Sequence, residues 1–274
     1  MIELFLTRPA VRGMARRAAD WIDLQWSSVV ELLARVAPQA RGRLLDVGCG
    51  EKPYEHLFTQ YVSQYVGIEH QETFAKTTAS AAGRGGGQPD LVYDGRRLPF
   101  EDRTFDTVLN VQVLEHTPRP AALVAEMARV LKDDGVLILS APFQFRLHEE
   151  PHDYFRYSPH GLRALCAEAG LEVVEVLAQG SLWSVLGHKV NSYLAFRVAR
   201  LGALAQTLVG KLPHEGTQYA SPRWWALPAV APAMFGVAGA ARLLDRVAPE
   251  PEEALGFLIV ARRAAGAKAP GGGW

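Results

Sequence analysis

The sequence predicts an open α/β fold, a mostly parallel sheet with helices on both faces. Three observations lead there. Short apolar runs bounded by turn residues recur through the first two-thirds of the chain, the pattern of strands buried on both faces. Between some of them, apolar residues return at spacings of three and four, which is the helical period. The first run, Arg43 to Val47, ends in Gly48-Cys49-Gly50, a turn where a backbone can approach a ligand closely.

Each element follows from its pattern. Residues 20 to 37 place Ile22, Trp26, Val29, Val30, Leu33 and Val36 on one stripe, and Pro38 stops it, so one amphipathic helix is expected ahead of the sheet. Strands are expected at Arg43 to Val47, Tyr65 to Ile68, Leu91 to Tyr93, Phe105 to Val111 and Val136 to Ser140. Pro120 opens a helix whose stripe is Leu123, Val124, Met127, Val130 and Leu131, and Asp133-Asp134-Gly135 ends it. Ser158 and Pro159 read as an N-cap and first helical residue, with Gly170 as the left-handed stop. Leu171 to Leu177 makes a sixth strand, and a seventh, Gly256 to Ala261, comes only after roughly seventy-five residues of another character. The chain therefore divides into an N-terminal helical extension at 1–40, a core at 41–178 plus 256–262, a helical insertion at 179–255 and a disordered tail at 263–274.

Composition narrows the function. The 274 residues carry 49% hydrophobic and 21% charged residues, enough for one sizeable core. The formal net charge is zero, so there is no global basic field to hold a nucleic-acid backbone. Cys49 and Cys166 fall after a strand and within a helix, which argues against a disulfide and for a reducing, cytoplasmic setting. Arg8, Arg12, Arg16 and Arg17 interrupt the first segment, and no secretory apolar stretch is present there.

The chemistry concentrates at strand ends. A dinucleotide fingerprint would place a third glycine at position 53, where this chain has Pro53, and Asp46 before the turn would repel a diphosphate. An acid beside a glycine turn suits S-adenosylmethionine, which carries an ammonium and a sulfonium and no phosphate. Glu69 follows the second strand, where a carboxylate can accept both ribose hydroxyls. Asp94, before Gly95, stands where it can accept from the adenine amine, and it reads equally well as an Asp-Gly turn residue. With Gly48, Cys49, Gly50 and Asn110 of the fourth strand, these make the cofactor-side set.

Leu45-Asp46-Val47-Gly48-Cys49-Gly50, Gly67-Ile68-Glu69, Asp94-Gly95 with Leu98-Pro99-Phe100, Phe105-Asp106, Val113-Leu114-Glu115-His116 and the Leu131 to Gly135 turn stand in one order and spacing. In them the sequence resembles the class I methyltransferases, in particular the type 11 group, over about residues 42 to 178 and the last strand. The resemblance implies a Rossmann-like seven-stranded sheet whose last strand is antiparallel, with S-adenosylmethionine across the C-terminal strand ends. In that group a short turn joins the last two strands; here the insertion separates them.

Methyl transfer from a sulfonium is an in-line displacement that depends on positioning, and a histidine can assist where the acceptor is a hydroxyl. The candidates for the acceptor side are His116, His148, His152 and Tyr154, all after the fourth or fifth strand. His116 reads equally well as a capping or shielding residue. His148-Glu149-Glu150-Pro151-His152 also satisfies the H-E-x-x-H pattern, but Pro151 opposes the helix that a zinc site would need, and no metal is expected. Asp153 and Arg156 are expected to pair and fix the same loop. The insertion holds Trp183, Trp224, Trp225 and an uncharged run from Trp224 to Ala241. Pro228 and Pro232 weaken that run as a membrane span, so it is expected to be a lid or dimer surface over the acceptor cleft, with peripheral membrane contact through 181–252 as the alternative. The expected activity is methyl transfer to a small-molecule or glycan-like acceptor, oxygen before nitrogen or carbon. A non-catalytic S-adenosylmethionine-binding module, a lipid or quinone acceptor at the membrane and a nicotinamide-dependent oxidoreductase are the rivals.

Overall fold

The computed structural model describes residues 9–78, 87–195 and 227–263. The expected tail beyond Arg263, together with Trp224 and Trp225, lies outside the described residues. A seven-stranded sheet is formed by β1 (Arg43–Val47), β2 (Gln64–His70), β3 (Leu91–Tyr93), β4 (Phe105–Val111), β5 (Leu131–Pro142), β6 (Leu171–Gln179) and β7 (Gly256–Arg263). Their order is β3-β2-β1-β4-β5-β7-β6. β1 pairs in parallel with β2 and β4, β3 with β2 and β5 with β4, whereas β7 runs antiparallel to β5. The class I arrangement expected from the sequence is thus present.

Leu44, Leu45, Val108, Leu109, Ile138 and Leu139 are wholly buried along the central strands, which is why these stretches read as continuous apolar runs. The turn expected from Leu131 to Gly135 is drawn into β5 instead. Phe105 faces Leu131 and Thr107 faces Val136, with a register irregularity between them. Charges hold this irregular start: Lys132 Nζ donates to Asp106 Oδ1 at 2.8 Å, and Arg103 reaches Asp133 at 3.1 Å.

The helices are α1 (Pro9–Ile22), α2 (Leu24–Val36), α3 (Glu55–Phe58), α4 (Gln71–Thr78), α5 (Pro120–Val130), α6 (Pro159–Glu168), α7 (Leu182–Tyr193) and α8 (Leu227–Val247). The single N-terminal helix expected at 20–37 is two helices, because Asp23 breaks the run and its Oδ1 accepts the amide of Trp26 at 3.1 Å, an N-cap for α2. Ser158 caps α6 as its sequence suggests, accepting Gly161 N–H at 3.2 Å, and Gly170 beyond the helix has φ +72°.

The chain forms two compact units. The sheet unit comprises Val30–Phe145, His152–Leu177 and Gly256–Trp274; the helical unit comprises Met1–Val29, Arg146–Pro151 and Ala178–Leu255. Within the helical unit, Leu24, Val185, Ala238, Ala241 and Leu255 build a core with Trp183 against it. A Cβ on Gly187 would lie 2.7 Å from Leu24 Cδ1 and 2.9 Å from Ala241 Cβ, so the absent side chain permits close approach of α7 and α8. Asp245 of α8 accepts the hydroxyls of Ser181 and Ser184 at the start of α7. Among the described residues no helix is long and apolar enough to cross a membrane.

Candidate active site

The residues read from the sequence as the cofactor side stand where β1, β2 and β3 end. β1 and β2 are in register with Val47 opposite Ile68, and the amides of Gly48 and Cys49 both donate to Ile68 O, at 2.9 and 3.0 Å. From the other neighbour, Asn110 Nδ2 of β4 donates to Val47 O at 2.9 Å. The glycine turn is therefore clamped from both flanking strands. Asn110 is wholly buried, and its Oδ1 has no hydrogen-bond partner among the described residues.

The two glycines serve different ends. Gly48 has φ +78°, and a Cβ there would lie 2.5 Å from Val113 Cγ2, so packing demands it. Gly50 has φ +53°, and a Cβ there would meet nothing within 4 Å, so it borders open space. Glu69 Oε2 accepts Gly50 N–H at 2.7 Å and Oε1 accepts His70 N–H at 2.8 Å, which fixes the carboxylate beside that space. A ligand with a ribose fits this arrangement: a carboxylate held by backbone amides, and a turn with no side chain in the way.

Asp46 is nearly fully buried, and its carboxyl accepts the hydroxyl of Tyr65 at 2.5 Å. Burial pushes its pKa up to about 7, against the Tyr65 hydrogen bond, which favours the ionised form. The cation-attracting acid of the sequence analysis is thus engaged by Tyr65. Cys49 is buried within the turn, and burial and the neighbouring acids push its thiol well above the ordinary range, so it packs as a small apolar residue. Asp94 is exposed and accepts the amide of Arg96 at 3.0 Å, the turn role that its sequence context also allowed. Gly95 has φ +77°, and a Cβ there would sit 2.6 Å from His70 Cδ2. His70 in turn lies edge-on to Tyr93, centroids 6.2 Å apart. Sequence reasoning passed over His70, although its place directly after Glu69 was the available signal.

The residues read from the sequence as the acceptor side follow β4 and β5. The loop from His152 to Tyr157 is docked on the short 3-10 turn Leu114–His116. Tyr154 N–H donates to Glu115 O at 2.8 Å, Tyr157 Oη–H to Leu114 O at 3.3 Å, and His116 Nδ1 lies 2.6 Å from His152 O. A carbonyl only accepts, so Nδ1 carries the proton and, in the neutral ring, Nε2 keeps its lone pair. Glu115 is wholly buried, with Oε1 3.7 Å from that Nε2. The loop is fastened by a bidentate pair, Arg156 Nη1 and Nη2 to Asp153 Oδ1 and Oδ2 at 2.5 and 2.7 Å. His152 Nδ1 lies 3.1 Å from Tyr154 Oη, so these two candidates are adjacent. His148 falls in the segment Arg146–Pro151 of the other unit. No helix covers residues 148 to 152, so the H-E-x-x-H pattern lacks the helical face it would need.

Comparison with known proteins agrees with the geometry. Residues 45–139 match the family model described as a methyltransferase domain. A probable S-adenosylmethionine-dependent methyltransferase of Mycobacterium tuberculosis is 33% identical over 109 residues, 39% of each chain. A ubiquinone biosynthesis O-methyltransferase of Nitrosococcus oceani is 27% identical over 167 residues, 53% of this chain and 69% of that one. In fold, a putative methyltransferase of Haloferax volcanii, solved with the activator Trm112, superimposes with a TM-score of 0.52 at 18% identity, covering 94% of this chain and 97% of that one. The [4+2]-cyclase SpnF does so at 0.50 and 21% identity, covering 86% and 80%. Over residues 45–139 the chain is thus similar to the methyltransferase-domain family, in line with the class I, type 11-like resemblance of its sequence. S-adenosylmethionine is the cofactor which that family implies. This chain spans about two-fifths of the length of the first curated relatives it matches, 42% and 39%.

Proposed function

We propose that this protein transfers the methyl group of S-adenosylmethionine to an oxygen of a small-molecule or glycan-like acceptor. The observation that carries the reading is the pairing of Glu69 with Gly50 beside open space, one sheet position away from the 3-10 turn that holds His116. Glu69 would accept the ribose hydroxyls, Gly50 would let the ligand close on the backbone, and Asp46, His70 and Gly95 would border it. Bound S-adenosylmethionine supplies an electrophilic methyl on a sulfonium. The residues of the acceptor side orient the incoming hydroxyl and exclude water. His116 Nε2 accepts the hydroxyl proton, and buried Glu115 offsets the charge that results.

Calorimetry with S-adenosylhomocysteine, followed by turnover against acceptor panels, tests this. His116→Ala should leave binding intact and lower turnover by roughly 10²-fold, the lower range for general-base assistance. A His116→Ala enzyme turning over at the wild-type rate would sink the proton-transfer role.

A quinone or lipid acceptor at a membrane surface is the second reading. It is favoured by the ubiquinone-pathway relative and by Leu186, Val190 and Tyr193, exposed on one face of α7. Flotation with anionic liposomes decides between them: comigration supports the second reading, and a protein left at the bottom of the gradient removes it.

A further inference from the structure

Lys52 stands just beyond the glycine turn in a backbone conformation that side-chain-bearing residues rarely adopt, with φ +53°. Such a residue persists only where its surroundings over-determine it. Here they do. Its amide donates to Cys49 O at 2.8 Å, and its stem lies across β2, where a Cβ on Gly67 would be 2.8 Å from Lys52 Cε. Its Nζ reaches Asp90 Oδ2 at 2.6 Å, and the same oxygen accepts Gly67 N–H at 2.7 Å. Asp90 N–H returns the bond to Gly67 O at 2.8 Å, just before β3 begins. The lysine side chain is only 8% exposed, which a lysine tolerates when its charge is paired. Its ammonium also stands 6.0 Å from the ring of Tyr65, the residue that holds Asp46.

We infer that Lys52 is a positioning residue for the cofactor: its ion pair with Asp90 locks the glycine turn across β2 to the start of β3. The lock acts on Gly50, two residues away, whose amide must stay on Glu69 for the turn and the carboxylate to share one geometry. It also places a cation next to a site whose other charged groups, Asp46 and Glu69, are acids, which lets both acids crowd the turn. The inference rests on the reading of this turn as the cofactor site.

The test uses the full chain, S-adenosylhomocysteine calorimetry and amide hydrogen exchange at Gly50. Lys52→Ala and Asp90→Asn should each weaken binding about tenfold, the low end for a lost charge-assisted hydrogen bond. The double variant should be no worse than either single, since both remove one interaction. Lys52→Arg should recover most of the affinity, and Lys52→Gly, which suits the backbone but lacks the charge, should not. In the unliganded chain Gly50 exchange should speed up in Lys52→Ala and Asp90→Asn while that of the buried β5 amides stays put. Wild-type affinity in Lys52→Gly, or additive losses in the double variant, would overturn the inference. If the wild-type chain fails to bind S-adenosylhomocysteine at all, the cofactor reading falls, and unchanged Gly50 exchange in both single variants would overturn the lock separately.

Discussion

The two rims of the sheet unit are built on opposite principles. At the ends of β1 and β2, carboxylates are buried and accept backbone or hydroxyl donors: Glu69 takes the Gly50 and His70 amides, and Asp46 takes Tyr65. At the ends of β4 and β5, main-chain carbonyls receive donors from the docked loop: Glu115 O, Leu114 O and His152 O are the acceptors. The first rim holds its acids in place through those bonds. The second leaves Tyr154 and Phe155 well exposed. Under the proposed reading the first rim would hold the cofactor and the second the acceptor.

The largest expected effect breaks the first rim outright. Gly48→Ala places a methyl 2.5 Å from Val113 Cγ2 at a positive φ, costing roughly 2 to 5 kcal/mol of stability from overpacking and backbone strain together. Gly50→Ala meets open space, so its stability loss should stay near about 1 to 2 kcal/mol. Its cofactor affinity should fall all the same. Urea unfolding beside calorimetry separates the two; equal unfolding midpoints for both variants would show that Val113 yields easily.

Glu69→Ala should weaken S-adenosylmethionine binding by about 1.5 to 3 kcal/mol, as for a lost charged hydrogen bond, with turnover at saturation largely preserved. If turnover falls and affinity holds, the carboxylate belongs to the acceptor rim and the comparison is wrong.

Asp46 sharpens the contrast through pH. Its folded pKa of about 7 lies above the ordinary 3.8, so the stability that its protonated form contributes is complete below about pH 4 and is lost as pH rises through 7. Asp46→Asn keeps an acceptor for Tyr65 and should flatten that slope in unfolding measured from pH 4 to 8. A wild-type slope in the variant would assign the titration to another group. Asp94→Ala should have the smallest effect, about 1 kcal/mol or less in cofactor affinity, because the carboxylate is exposed and serves its own turn.

Much of the frame was readable before any coordinates. β1, β3 and β4 fall on the apolar runs that announced them, and Ser158 and Gly170 bound α6 where capping chemistry says they should. Asp23 was equally readable as an N-cap but was hidden inside a continuous apolar stripe, so two helices were taken for one. Glu69 and the glycines stand at the site because strand ends and turn residues are sequence features. His70 and Lys52 were passed over because neither belongs to a pattern with a local period.

By itself the sequence determined the strands, the start of α5, both limits of α6 and the class of cofactor, since each depends on neighbours a few residues away and on the alternation of apolar and turn residues. Only the tertiary structure decided which groups are paired, and thereby what each can do. Lys52 finds Asp90 38 positions on, and His116 receives its tautomer from the carbonyl of His152 36 positions on. Asp46 owes its raised pKa to burial, which outweighs the hydrogen bond it accepts from Tyr65 on the next strand. Residues 9–29 join 178–255 in one helical unit although nearly the whole sheet lies between them in the chain. Such partners are fixed by the packing of distant segments, and protonation state and hydrogen-bond direction follow from the partner.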